Sequence, residues 1–377
     1  MYTNYTKEQE MLRKSARDFL RAECSKETVR ELEEDEKGYS SDTWKKMAEL
    51  EWTGLIIPEE YEGLGMNLQD LTIVMEEIGR NIFSAPFLPT VVASFLILEA
   101  GSEEQKKEFL PKIARGELIA VPAFLEESGM FRSSDIAAGA KLDGDNYIVS
   151  GTKLFAEMAH VADYIICAAR TSEEGASGEG ISLFMVDASS PGVECEVIPS
   201  IAMDKQCEVR FKDTPVPASH LLGEAGRGWP AVEIALKKAA VAKCAESIGA
   251  IQACVDMTVQ YSKGRVQYNR PIGAFQAVQH KLADMWISMQ TSRYLVYQVA
   301  WKASEGLPCD KEISMAKAYV NEAYKFVSKW AVRLHGGMGT SREHDISLYY
   351  RRAKAADYAF GSTDFHKRRV AEGINLK

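Results

Sequence analysis

Apolar residues in the first third of the chain recur at three- and four-residue spacing, and such stretches read as helices. Thr6 stands as an N-cap with Gln9 at the capping-box position, and Met11, Leu12, Ala16, Phe19 and Leu20 follow on one face. The same spacing returns from Thr43 to Leu50 and from Leu68 to Ile82. From about Ile119 it gives way to short β-rich runs, at Tyr147 to Val149, Tyr164 to Ala168, Ile181 to Val186, Val197 to Ile201 and Cys207 to Phe211. Turns separate these runs, notably at Leu142 to Asn146 and Glu173 to Gly180. Short, evenly spaced strands of this kind predict a small antiparallel barrel. From Trp229 onward long helical spacing resumes, broken at Asn269 to Pro271, Gly306 to Pro308 and Gly336 to Gly339, which fits a four-helix bundle. The expected architecture is multidomain α+β: an N-terminal helical domain over 1–118, a middle antiparallel β-barrel over 119–228 and a C-terminal four-helix bundle over 229–377.

Within the last region, Tyr261 to Met285 reads as a helix end, a basic loop and a new helix carrying Phe275, Val278, Leu282 and Met285. Pro271 cannot donate to a helix and pushes Arg270 out of the helical region, so the first helix is expected to break at Asn269 to Pro271. Arg265 is thereby left near an exposed helix end.

Composition narrows the function. A chain of 377 residues exceeds one ordinary core, and its 46% hydrophobic content can fill two or three. A net charge of −9 argues against a nucleic-acid binder. The seven cysteines, 24, 167, 195, 207, 244, 254 and 309, are scattered and form no C-x-x-C pair, as expected of reduced thiols without zinc or a disulfide framework. The N-terminus shows no signal or transit pattern and no run approaches the roughly eighteen apolar residues of a membrane span, so a cytoplasmic location is expected.

The order R-x-Q-aromatic-x-x-P-I-x-x-F-Q-x-x-Q-x-x-L-A-D-M from Arg265 to Met285 resembles the signature of the acyl-CoA dehydrogenase family. Those flavoproteins oxidise an acyl-CoA thioester between Cα and Cβ. Further agreements are P-E-E-Y-x-G-L-G from Pro58, F-L-P-K-I-A-R-G-E from Phe109, G-x-x-L-x-G-x-x-Y-x-x-x-G-x-K ending at Lys153, and V-P-x-x-x-L-L-G-E-x-G-x-G-W from Val216. The resemblance implies FAD as cofactor, with Arg265 and Gln276 reaching its pyrophosphate across a subunit interface, a role that suits a guanidinium fork. It likewise implies that Gly336 and Gly337 pack against the adenosine diphosphate. Arg333 stands there in place of the usual Gln. Phe155 stands as the aromatic wall beside the isoalloxazine and Ser134 in the family's G-S-D turn, while Ser362 follows Gly361 in the family's Gly-Thr pair. His335 and His344 have no metal partner at helical spacing and read as structural.

Several positions depart from the family pattern. Phe124 to Ser128 lacks the Thr and Pro of the flavin-facing T-E-P segment, and Glu157 replaces a Thr that meets the flavin near N5. The family's base, a Glu before the Gly-Thr pair, is Phe360 here. The alternative base position on the first bundle helix falls in Lys237 to Val241, which contains no acid, and the Arg expected on that turn is Ala240. The resemblance therefore implies a subunit that is non-catalytic or shares an active site with a homologous partner, with acyl-CoA as substrate and electron-transferring flavoprotein as electron acceptor. Two alternatives stand beside it. One is a self-sufficient acyl-CoA flavoenzyme using Asp357, Glu126 or Glu157, or catalysing another reaction. The other is a flavin-free structural subunit. The catalytic residue and the acyl chain are left unassigned.

Overall fold

The computed structural model describes residues 5–172 and 179–375. Six helices come first: α1 (Lys7–Glu23), α2 (Lys26–Glu34), α3 (Ser41–Glu49), α4 (Leu68–Asn81), α5 (Phe87–Ala100) and α6 (Glu103–Ala114). The strands are β1 (Ala120–Ala123), β2 (Gly139–Asp143), β3 (Asn146–Glu157), β4 (Tyr164–Arg170), β5 (Ile181–Asp187), β6 (Val193–Ile198), β7 (Gln206–Pro217) and β8 (Leu221–Leu222). Then come α7 (Trp229–Gly264), the two-residue strands β9 (Val266–Gln267) and β10 (Arg270–Pro271), α8 (Gln276–Ser304), α9 (Asp310–His335), α10 (Ile346–Tyr358) and α11 (Thr363–Gly373). The capping box at Thr6 is present, with Gln9 and Thr6 exchanging backbone and side-chain bonds at 3.2 Å.

The chain folds into two compact units that are discontinuous in sequence: Met1–Glu31, Leu68–Phe83 and Ala240–Lys377 form one, Leu32–Asn67 and Ser84–Ala239 the other. The first is helical. There α4 and α7 cross with glycine facing backbone on both sides. A Cβ on Gly79 would sit 1.7 Å from the Glu246 carbonyl oxygen, and one on Gly249 would sit 1.7 Å from that of Glu76. Only hydrogen at these two positions permits so close an approach. Buried Glu76 is satisfied by Arg293 Nη2 at 2.8 Å and the Tyr297 hydroxyl at 2.6 Å. From Trp229 onward the described residues form five helices where the periodicity counted four, because α10 and α11 are short and divided at Ala359 to Ser362.

The second unit holds the sheet, and here the expected antiparallel barrel is corrected. The strand order is β6-β7-β3-β2-β4-β5-β8, an open path with β6 at one end and β8 at the other. The sheet is also mixed. β1 runs parallel to β4, Ala120 opposite Tyr164, and β2 meets β4 in parallel at Gly139 and Arg170. A barrel needs its last strand to bond its first, and strand spacing carries no information on that closure. β1 escaped the sequence reading because it is four residues long and contains Pro122. β4 and β5 are apolar almost without interruption and buried on both faces, while α5, apolar around its whole circumference, is buried along nearly its full length. The turn expected at Glu173 to Gly180 lies mostly outside the described residues.

Candidate functional site

In the helical unit the residues of the Arg265 motif and the glycine loop meet at one corner. Helix α7 ends at Gly264, five residues before the expected break, because the chain turns into a hairpin: Arg270 pairs with Gln267 and Pro271 with Val266. Tyr268 and Asn269 both take positive φ, 53° and 64°, as a two-residue hairpin of this hand requires. Arg265 N–H donates to Tyr261 O, and Ile272 N–H donates to Arg265 O, each at 2.8 Å. The hairpin therefore closes on Arg265 and directs the chain into α8, whose first residue is Gln276; both side chains are exposed. Arg270 lies 4.1 Å from the Phe275 ring centroid, which fixes the loop from outside.

The glycine loop reaches the same corner through Tyr261. Its ring stacks on His335 at 4.3 Å, and its hydroxyl donates to His335 O at 3.4 Å. His335 is buried, donates from Nδ1 to Ala331 O at 2.8 Å and meets His344 edge-on at 4.8 Å. Burial holds its imidazole below the usual range, so it is neutral at pH 7 and structural. Gly336 takes φ 65°, and neither Gly336 nor Gly337 has any atom within 4 Å of where a Cβ would lie. The space beside their Cα atoms is open, while Gly336 N–H donates to Arg333 O and Gly337 O accepts from Thr340 Oγ1 at 2.8 Å. Arg333 and Lys281 stack on Trp330, at 5.1 and 4.9 Å. The hairpin, the start of α8 and the end of α9 thus carry Arg265, Arg270, Lys281 and Arg333 in a chain of net charge −9. That donor set suits a pyrophosphate-bearing ligand.

Ser362 is the N-cap of α11, accepting from Phe365 N at 3.2 Å. Next to it, Phe360 takes φ 55° and its carbonyl accepts from His366 Nε2 at 3.0 Å. Asp357 accepts from Lys325 Nζ and Thr363 Oγ1, both at 2.6 Å. Burial pushes its carboxyl up, but these bonds outweigh that effect and hold it below the usual range. A carboxylate so committed is a poor base.

The sheet unit brings together the two segments that depart most from the family pattern. Leu154 N–H donates to Leu125 O at 2.8 Å, and beside that bond Lys153 Nζ lies 2.5 Å from Glu126 Oε1. Glu126 also accepts from Ala137 N at 2.8 Å and Ala138 N at 3.1 Å. Three donors occupy this buried carboxylate, so it serves the fold. Phe155 follows at a β-bulge, where the register of β3 on β7 slips between Lys153 and Ala156, and at φ 56° its ring is left 51% exposed. Ser134 is exposed in a short 3₁₀ turn pinned by Arg170, which donates to Ser133 O at 3.0 Å and Ile136 O at 3.2 Å. Glu157, half-buried at the end of β3, pairs with Gln206 of β7. The sequence reading missed the Lys153–Glu126 pair and the Tyr261–His335 stack; no spacing rule links charges or rings so far apart in the chain.

Exposed guanidinium groups beside glycines with open space at their Cα atoms make a corner suited to a phosphate-bearing ligand. Family models match the chain in series: acyl-CoA dehydrogenase N-terminal domain over residues 6–117, middle domain over 128–214 and C-terminal domain over 226–375. The chain belongs to the acyl-CoA dehydrogenase family. It is 31% identical over 376 residues to the acryloyl-CoA reductase (NADH) of Anaerotignum propionicum, covering 98% of this chain and 95% of that one. Butyryl-CoA dehydrogenase from Megasphaera elsdenii superposes with a TM-score of 0.92 at 27% identity, covering 99% and 100%. A chain of the ChsE4-ChsE5 complex from Mycobacterium tuberculosis does so at 0.90 and 25%, covering 100% of both. Membership implies an FAD-dependent oxidoreductase. No helix among the described residues is long and apolar enough to cross a membrane.

Proposed function

We propose that this chain is one subunit of a heteromeric FAD-dependent acyl-CoA dehydrogenase, and that a homologous partner supplies the catalytic carboxylate. Oxidation at Cα–Cβ needs a base for the α-proton; bound FAD supplies the acceptor for the β-hydrogen as hydride. Arg265, Gln276 and the backbone of Gly336 and Gly337 hold the pyrophosphate and adenosine end, with Arg333 adding charge. Phe155 offers an aromatic wall, and Ser134 and Ser362 polar contacts. What supports the reading is the mismatch between the retained Arg265–Met285 and glycine-loop sequences and the absence of a carboxylate at either family base position. Phe360 has no lone pair to accept a proton, and Lys237 to Val241 adds none. Of the substitutes, Asp357 and Glu126 are bound by cations and N–H groups.

Assembly is supported by the apolar side chains that the helical unit leaves exposed, among them Val266, Tyr268, Trp286, Ile287, Tyr294 and Met338. They flank the phosphate corner in sequence on α8 and both loops. By resemblance, the substrate is an acyl-CoA and electrons leave to an electron-transferring flavoprotein. Co-expression with a homologous subunit, followed by native mass and flavin content, tests the proposal. A four-chain assembly of two subunit types with fewer flavins than chains is expected, together with little turnover of saturated acyl-CoA by this chain alone. An active homotetramer with one FAD per chain would sink it.

A further inference from the structure

A second cluster of reactive side chains lies in the sheet unit, on β6, β7 and the 3₁₀ turn that follows β3. In the β6–β7 ladder Cys195 stands opposite Val209 and Val197 opposite Cys207, so the two cysteines are diagonal neighbours on one face of an antiparallel pair. Their thiols are in hydrogen-bonding contact. Cys195 is exposed on the edge strand, and Cys207 is buried behind it. His160 Nδ1 lies 3.5 Å from Cys207 Sγ. The other ring nitrogen, Nε2, lies 3.1 Å from both Glu36 O and Lys37 O. Carbonyl oxygens only accept, so Nε2 carries the hydrogen and Nδ1 presents its lone pair to the thiol. The imidazole is oriented as a base toward Cys207.

From this arrangement we infer that Cys195 and Cys207 are a redox-active dithiol, which a hydroperoxide converts to a disulfide with His160 as the base. In the first step the exposed Cys195 sulfur attacks the peroxide as its thiol proton passes to the departing oxygen. An S–O bond forms and the O–O bond breaks, leaving a sulfenic acid and releasing water, or an alcohol from an alkyl hydroperoxide. In the second step Cys207, its proton transferred to His160 Nδ1, attacks the Cys195 sulfur. The S–S bond forms, the S–O bond breaks, and the departing hydroxide takes the proton from the imidazolium as water. Two electrons leave the dithiol and reduce one peroxide. Reduction by a small thiol reverses the change.

The electrostatics favour Cys207 as the nucleophile of the second step. Hydrogen bonding from Cys195 outweighs burial and lowers Cys207, and the imidazolium formed when His160 takes its proton lowers it further. The same contact raises Cys195. Burial pushes His160 down, but its bond to Cys207 outweighs this and the net shift is upward. The other five cysteines are all buried. A soft-metal site is the competing use of such residues, but no group of three or more His, Cys, Asp or Glu among the described residues is placed to hold a metal ion.

The test is oxidation of the full-length protein with tert-butyl hydroperoxide at pH 7, followed by thiol counting in denaturant and peptide mapping. The expected result is the loss of two of the seven thiols together, with one cross-linked peptide joining Cys195 to Cys207 and both thiols recovered by dithiothreitol. Cys195→Ser, at an exposed position that folding tolerates, should abolish the cross-link and leave Cys207 reduced. His160→Asn should slow the second step about tenfold or more at pH 7 and recover rate as pH rises toward the ordinary thiol range, a profile that a merely structural histidine would not produce. The inference is overturned by a Cys195 oxidised alone while Cys207 stays reduced, by cross-links to other cysteines, by no loss of thiols, or by wild-type kinetics of His160→Asn at every pH.

Discussion

Replacing Lys153 with methionine tests whether the buried pair with Glu126 maintains the geometry beneath Phe155. Lys153 is fully buried, and its loss strands a carboxylate that keeps only the Ala137 and Ala138 N–H donors. Removing one partner of a buried pair typically costs about 3–5 kcal/mol, and two surviving donors place this case near the lower bound, roughly 3 kcal/mol. For a unit of roughly 150–250 residues each kcal/mol moves the melting temperature by about 2–4 °C, so Lys153→Met should lower the transition of the sheet unit by roughly 6–12 °C. The double variant Glu126→Gln/Lys153→Met removes the stranded charge and should recover part of that loss, since the amide oxygen still accepts one of the two N–H groups, which bond different oxygens of the carboxylate. Scanning calorimetry reads both values. A single-variant shift below about 2 °C, or a double variant no more stable than the single, would refute the reasoning.

Arg265→Ala removes a guanidinium from the phosphate corner, and losing a charged hydrogen bond of about 1.5–3 kcal/mol should weaken FAD retention roughly 10- to 150-fold, read by flavin fluorescence after dialysis. Full retention would speak against the assigned role. Gly249→Ala places a methyl 1.7 Å from the Glu76 carbonyl oxygen, so α4 and α7 must separate; a loss of about 1–3 kcal/mol or more is expected by denaturant titration, and a wild-type midpoint would contradict the crossing. His366 is lowered to about 4 by burial. An unfolded histidine binds its proton near 6.5 and the folded one does not, so stability is present above that pH and is lost as pH falls toward 4, by about 3 kcal/mol in all. His366→Gln should remove that part of the acid loss, visible as a flatter dependence of melting temperature on pH between 7 and 4.5.

Local rules made much of this protein legible. The Thr6–Gln9 capping box, the helical spacing from Leu68 and the β-rich runs from Tyr147 all follow from backbone periodicity and end chemistry that nearby residues determine alone. The Arg265 motif and the glycine loop named the family for the same reason: their residues sit at fixed offsets along one segment. What the tertiary structure decided is every relation between distant segments. β1 pairs in parallel with β4 and leaves the sheet open, although nothing in four residues containing Pro122 specifies a partner. Helix α7 stops at Gly264 and not at Pro271, because a closing hairpin satisfies the backbone that the helix gives up. Glu126 lost its standing as a free acid only when Lys153 proved to lie against it. His160, Cys195 and Cys207 come from three separate elements and meet through the register of β6 on β7. Strand partner, register and buried charge pairing are settled by burial across the whole core, whose free energy belongs to no single stretch of the chain.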